Sequence, residues 1–278
     1  MAYMITKQQY RDEWVVAFQR GETYLKDCVT KETMLSGLTA NFALQGAAGR
    51  MSERGTNGLI PSRNRTDTQP QITLKEKHSK ETRTGFDVFT APANLREAMQ
   101  NAGALTAARE IDYTIIDALA TATNSYASGA AQTLTYGKTV DALSELFELD
   151  VMAGNEITCL WTPKAWARLL TFQQFASADY VETKPLVGLT LDRPKIWLGA
   201  KHIMHSGLPG MGTATASNFI FAKPAVGHAI ATGDIRVDVG YNGEDDYSYS
   251  RHTIFDGSVI LQQAGVIKVV TDDTVAFS

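Results

Sequence analysis

The chain has 278 residues, a formal charge of −4, two cysteines and eight prolines, with 44% hydrophobic and 20% charged residues. These proportions exclude a collagen, a disulfide scaffold, a coiled coil and a wholly disordered chain, and the mild acidity speaks against a dedicated nucleic-acid binder. No apolar run nears the roughly 18–20 residues that cross a bilayer, so no membrane partner is expected.

The start, MAYMITKQQYRDEW, lacks the basic-then-apolar pattern of a secretion signal. Cys28 and Cys159 form no CxxC pair and read as small core residues of a protein made in a reducing compartment. Residues 7–20 carry Trp14, Val15 and Phe18 at helical spacing and stop at Gly21. Residues 23–44 are rich in Thr, aliphatic and aromatic residues and read as two strands.

From Gly49 to Thr84 only Met51, Leu59, Ile60, Ile72 and Leu74 are apolar, too few to support a core. The window carries eight basic residues, Arg50, Arg54, Arg63, Arg65, Lys75, Lys77, Lys80 and Arg83, against four acidic ones. It is therefore +4, and the rest of the chain is −8. Gln71 to Lys75 alternates apolar and polar, Phe86 to Phe89 is again strand-like, and Pro61 and Pro70 mark turns. The window reads as a long, flat, basic hairpin, marginal alone, that needs another surface such as the acidic body of a neighbouring copy.

Ala93 to Tyr126 is the strongest helical stretch. Leu105, Ala108, Ile111, Ile115, Leu119, Ala122 and Tyr126 form one stripe, with Arg109, Glu110 and Asp117 off it. Asn94 with Glu97 suggests a cap, and Asn101-Ala102-Gly103 suggests a break. If continuous, the helix is roughly 50 Å long, against a radius of gyration near ~19 Å for a compact chain of this size. It would act as the spine of a flat molecule. Arg109-Glu110-Ile111-Asp112 reads as helix-surface charge pairs or as salt bridges to an adjacent body.

Lys138 to Met152 forms a second amphipathic helix on Val140, Leu143, Phe147 and Val151. Ile157 to Trp161 is a buried strand, and Thr162-Pro163 opens a helix through Trp166, Leu169 and Leu170. Strands follow near 195–205, 218–222, 235–240, 247–255, 258–262 and 266–270, with Gly243, Gly257 and Gly265 as turn signals. Helices and strands mix without βαβ alternation, so the class is α+β.

No constellation of nucleophile, base and oxyanion donor emerges. His202 and His205 fall on opposite faces of a strand and read as structural, not zinc-binding. Gly207-Leu208-Pro209-Gly210-Met211-Gly212 is not a GxGxxG loop, and Asp256-Gly257-Ser258 reads as a tight turn, not a hydrolase elbow. Glu244-Asp245-Asp246 lacks the alternating ligands of a calcium loop and reads as a solvated acidic loop or a docking patch for a basic arm. No catalytic residue, cofactor or metal is assigned.

The order of parts resembles the major capsid proteins of tailed bacteriophages, which share the Hong Kong 97-type fold. The resemblance rests on the basic hairpin, REIDYTIIDAL on the spine, ITCLWTPKAWARLL, AVGHAI followed by strands, and the closing DGSVILQQAGVIKV. It implies a division into N-terminal arm and base strands (1–50), extended loop (51–90), peripheral domain (91–152 and 232–278) and axial domain (153–231). It implies a chain that self-assembles as pentamers and hexamers into an icosahedral head shell around double-stranded DNA, which it approaches without sequence specificity. It also implies residence in the virion capsid, assembly in the bacterial host cytoplasm, a portal and possible cement protein as partners, and a separate scaffolding protein, since the hairpin is reached by residue 60. Arg63, Arg65, Lys75, Lys77, Lys80 and Arg83 are the expected inter-subunit contacts of the arm, with Glu244, Asp245 and Asp246 as their acceptor on the next copy. Two other readings stand beside this one: an encapsulin-like nanocompartment shell, and an α+β enzyme whose basic arm is a lid.

Overall fold

The computed structural model describes residues 23–34, 36–46, 50–54, 56, 58, 60, 65–90, 95–126, 132–151, 154–176 and 194–276. The helix expected at 7–20, Pro61, Arg63 and the cap at Asn94 lie outside the described residues.

In chain order the elements are β1 (Thr30–Met34), β2 (Thr39–Asn41), β3 (Gln71–Thr73), β4 (Lys75–Thr84), α1 (Gly85–Thr90), α2 (Leu95–Ala120), β5 (Ser125–Tyr126), α3 (Tyr136–Glu148), β6 (Ile157–Trp161), α4 (Pro163–Leu169), α5 (Gln173–Ala176), β7 (Lys195–Trp197), β8 (Ala200–Met204), β9 (Ala216–Ala222), β10 (Val226–Asn242), β11 (Tyr247–Ile260) and β12 (Val266–Thr271). They form a four-stranded sheet in the order β1-β10-β11-β4, a six-stranded sheet in the order β5-β12-β9-β6-β8-β7, and the small pair β2-β3.

The six-stranded sheet is the apolar heart of the molecule. All of β6 and all of β9 are buried, in runs too apolar for a half-exposed strand. Thr162 caps α4 as the sequence suggests, its hydroxyl accepting from Ala165 N, with Pro163 at the tolerated first turn. Asn218 holds that cap from the next strand: its Oδ1 accepts from Thr162 N at 2.8 Å and its amide donates to Thr271 Oγ1 at 2.8 Å.

α2 joins this core to the four-stranded sheet. Ile111, Ile115, Ile116 and Leu119 are buried in one cluster with Trp161, Phe219 and Phe221. The helix is continuous through Asn101-Ala102-Gly103, so the expected break is absent. Gly103 is there for close approach: a Cβ on it would stand 2.1 Å from His252 Nδ1 of β11. At 26 residues the helix is about 39 Å long, shorter than the sequence suggested because Tyr126 belongs to β5.

Several local expectations are corrected. Phe86 to Phe89 is helical, because Thr84 and Asp87 cap each other: Asp87 N donates to Thr84 Oγ1 (3.2 Å) and Thr84 N to Asp87 Oδ2 (3.4 Å). Asp256-Gly257-Ser258 is the interior of β11, not a turn, and Gly257 is needed because a Cβ would meet Ile72 Cγ2 and Thr73 O at 2.8 Å. The strands expected at 235–240, 247–255 and 258–262 are thus two long strands, β10 and β11, with a register shift between Ile230 and Ile235. In α3 the Thr135 cap starts the helix at Tyr136, and the buried face is Lys138, Thr139, Ala142, Leu143 and Leu146; Phe147 is exposed.

The fit of Gly103 against His252 yields a double-mutant test. Gly103→Ala is expected to destabilise the protein although alanine favours helix by about 1 kcal/mol, whereas Gly103→Ala combined with His252→Ala recovers part of that loss. Urea unfolding of the four variants checks it.

Candidate inter-subunit surface

The basic window does not behave as one arm. Its second half, Lys75 to Thr84, is β4, an edge strand of the body, paired in register with β11 of the same chain from Thr84↔Tyr247 to Lys75↔Asp256. The expectation that residues 51–85 lack a hold on their own chain is therefore corrected. Alternation of charge and burial along β4 disguises a body strand as a polar arm: its sheet partner, not its own sequence, supplies the apolar surface.

The hairpin lies earlier. β2 pairs with β3, and Leu44 bridges Thr68 with hydrogen bonds of 2.8 and 3.0 Å. Ala40, Ile72 and Ala229 form a small cluster, joined by Met34, Phe42, Leu74 and Val259, that pins the base of the hairpin to the four-stranded sheet. Every described residue from 50 to 69 is exposed, and Met51 and Ile60 present bare apolar side chains.

The charged candidates separate accordingly. Arg65 lies exposed on the arm, while Arg63 lies outside the described residues. Lys75 is exposed at the start of β4. Lys80 stands over the rings of Tyr247 (5.3 Å) and Tyr249 (5.6 Å), and Arg83 pairs with Glu81 at 3.1 Å. Lys77 is an internal hub. Its ammonium lies 2.9 Å from Glu110 and 3.4 Å from the fully buried Asp256, and it donates to Thr114 Oγ1. Glu110 thus makes an ion pair within the chain.

Glu244, Asp245 and Asp246 form the exposed turn between β10 and β11. Asp246 is committed locally: it accepts from the Tyr241 hydroxyl at 2.6 Å, its carbonyl accepts from Gly85 N at 2.9 Å, and its backbone adopts φ 46°. Asn242 donates to Asp245 at 3.1 Å and accepts from Glu244 N at 3.0 Å. Glu244 and Asp245 face solvent.

The buried polar groups are structural. Asp112 accepts from Tyr24 N (3.3 Å) and Leu25 N (3.2 Å) and lies 3.5 Å from His205 Nε2, tying the incoming chain to the middle of α2. His205 Nδ1 accepts from Gly207 N. Both nitrogens of this His–Asp pair are thus engaged inside the fold. His202 Nδ1 accepts from Trp161 Nε1 at 2.9 Å, and its Nε2 faces Trp197 O at 3.1 Å. Burial pulls the His202 imidazole down to about 4, with the Trp197 contact opposing. Burial likewise lowers His252 and raises the thiol of Cys159. Among the described residues no three His, Cys, Asp or Glu side chains gather as a metal site, and no helix is long and apolar enough to cross a membrane.

Two outcomes follow. Lys77→Met strands Asp256 without its cation and is expected to cost about 3–5 kcal/mol; adding Asp256→Asn returns much of it, read by thermal unfolding. For His202, the folded value lies below the ordinary 6.5. The unfolded state therefore binds the proton first, and stability present above pH 6.5 is lost as pH falls towards 4, by up to about 1.4 kcal/mol per pH unit. His202→Gln is expected to flatten that part of the stability profile in urea titrations at stepped pH.

A family model described as phage capsid protein matches residues 3–273. Solved structures share the fold. The chain is similar to a structure from Mycobacterium phage Che8 at 17% identity and TM-score 0.78, covering 99% of this chain and 100% of that one. It is also similar to the capsid of the cyanophage P-SCSP1u (15%, TM-score 0.72, covering 96% and 93%) and to the capsid of a native GTA particle (13%, TM-score 0.73, covering 96% of each). Curated protein sequences contain no match.

Proposed function

We propose how this chain, which belongs to the phage capsid protein family, closes a shell. Its fold is the Hong Kong 97-type, and it is a major capsid protein whose copies build the head of a phage. Its role is structural; the nanocompartment and lid-enzyme readings are not favoured.

The observation that carries the assembly reading is the contrast between the two ends of the hairpin. Its base is locked to the body by Ile72 and Ala40, while its described tip residues are all exposed, with Met51 and Ile60 bare. A protein that lacks a partner for such an arm exposes it to no purpose. Repeated around a closed shell, the tip of each copy lies on the next, and Glu244 and Asp245 are the exposed acidic groups that meet Arg63 and Arg65. In this reading residues 39–74 are the extended loop, α2 with the four-stranded sheet is the peripheral part, and the six-stranded sheet is the axial part around which pentamers and hexamers gather. A separate scaffolding protein, a portal and a cement protein are the partners this reading admits, with assembly in the host cytoplasm and packaged DNA against the inner face.

Reversing Arg63 and Arg65 to Glu is expected to leave the monomer folded and to lower particle yield, most at low salt where screening is weakest. Each exposed pair is worth only about 0–1 kcal/mol, but it recurs at every contact. Changing Glu244 and Asp245 to Lys in the same chain restores yield in part; Asp246 is spared because its carboxylate accepts from the Tyr241 hydroxyl within the fold. Sedimentation at two salt concentrations reads the result, and undiminished yield at low salt removes the electrostatic role.

A further inference from the structure

Among the described residues, much of the length of β10 has no strand partner on one side. β1 runs beside it only from Gly227 to Ala231, while β11 lines its other side up to Asn242. Beyond Ala231 the outer edge of β10 has no strand partner among the described residues. Such an edge is a template for another strand unless it is blunted by proline, lysine or a bulge. The register shift lies at the start of this edge, between Ile230 and Ile235, and the strand runs on from there without another.

The exposed stretch is also apolar on one face. Val237, Val239 and Tyr241 are 55%, 45% and 57% exposed, on the side where α2 packs mainly on β11 and covers β10 far less. Met99 of α2, Val239 and Tyr241 border a groove of about 270 Å³. On the opposite face Arg236 stands over the Phe255 ring at 4.9 Å, and Asp238 accepts from Arg251 at 2.9 Å. Both charges are held upright along the sheet.

The order Ile235-Arg236-Val237-Asp238-Val239 is a charge-inverted palindrome about Val237. Two copies laid antiparallel about a two-fold axis at Val237 set each Arg236 opposite the partner's Asp238. They set each Ile235 opposite the partner's Val239, and Val237 opposite itself. Opposite charges and apolar pairs in direct cross-strand register are the favourable combinations. Moving the axis to residue 238 sets Asp238 against the partner's Asp238. Moving it to Val239 sets Arg236 against the partner's Asn242 and Asp238 against the partner's Gly240. Moving it to Ile235 sets Asp234 against the partner's Arg236 but leaves Asp238 against the partner's Thr232 and Val237 against the partner's Gly233. Of these registers only the one at Val237 pairs Arg236 with Asp238 and each apolar residue from 235 to 239 with another.

We propose that the free edge of β10 is an isologous contact, at which two copies of this chain join their four-stranded sheets across a two-fold axis. This goes beyond the arm-on-body contact and rests on the shell reading. The occupant is the same edge of a second copy, fixed by the palindrome; an arm tip or residues 7–20 have no such self-complementarity.

The test uses assembled particles. A two-fold at Val237 brings the two copies of that residue within the 4.5–5.5 Å of cross-strand neighbours, inside disulfide reach. The two copies of Val239 are then roughly 13 Å apart. Cys28 and Cys159 are buried and do not compete. On mild oxidation, particles of Val237→Cys are expected to run as dimers in non-reducing electrophoresis and those of Val239→Cys as monomers. The double variant Ile235→Cys with Val239→Cys is expected to cross-link. Particles of Val237→Cys that stay monomeric, or Val239→Cys particles that cross-link equally well, overturn the pairing while leaving the shell reading in place. Absence of particles from the unaltered chain overturns the shell reading and the pairing with it.

Discussion

The packing of α2 across β11 is the constraint on which the other parts depend. Its second half is anchored in the apolar core by Ile111, Ile115 and Leu119. Its first half lies against β11, on Ser248, Ser250 and His252, and reaches that strand only because Gly103 carries no side chain. The helix thereby packs on both sheets, and Val226, Ile230, Ile254 and Ile260 of the four-stranded sheet share its core cluster. Asp112, at the middle of that helix, also receives the incoming chain through Tyr24 and Leu25.

A rigid connection of this kind explains where the molecule can be open. The core takes the large apolar side chains, Trp161, Phe175, Phe219 and Phe221 among them. What remains at the periphery is polar or thinly apolar: the hairpin, the β7–β8 hairpin with Ile196 exposed, and the outer half of β10. The described residues do not bury them, and in the proposed shell neighbouring copies do so. Because each such contact recurs in a closed assembly, individually weak terms suffice, and a subunit that stays soluble before assembly is compatible with a stable shell after it.

Charge follows the same division. Lys77 forms ion pairs with buried Asp256 and half-exposed Glu110 inside the chain, so it belongs to the fold. Arg65, and Glu244 and Asp245 on the β10–β11 turn, lie on the surface and belong to contacts between copies in the proposed shell. Residue type does not separate these classes. Lys77 and Lys75 are two apart on one strand, and only the approach of α2 over the first makes it internal.

What the sequence determined by itself was whatever depends on short-range pattern. The 3.6 period of the spine, the unbroken apolar run of β6 and the Thr162-Pro163 helix start are local physics, and all three stand in the structure. The basic, apolar-poor window was equally legible as composition. Tertiary structure decided how that window was cut, because β4 earns its place only by pairing with β11, some 170 residues on. It decided the glycines too. Gly103 and Gly257 read as a break and a turn, yet each is a point of close approach, to His252 and to Ile72, and no neighbour in sequence announces such a contact. Helix and turn signals are carried by adjacent residues; strand partnership and close approach are carried by residues that only the fold brings together.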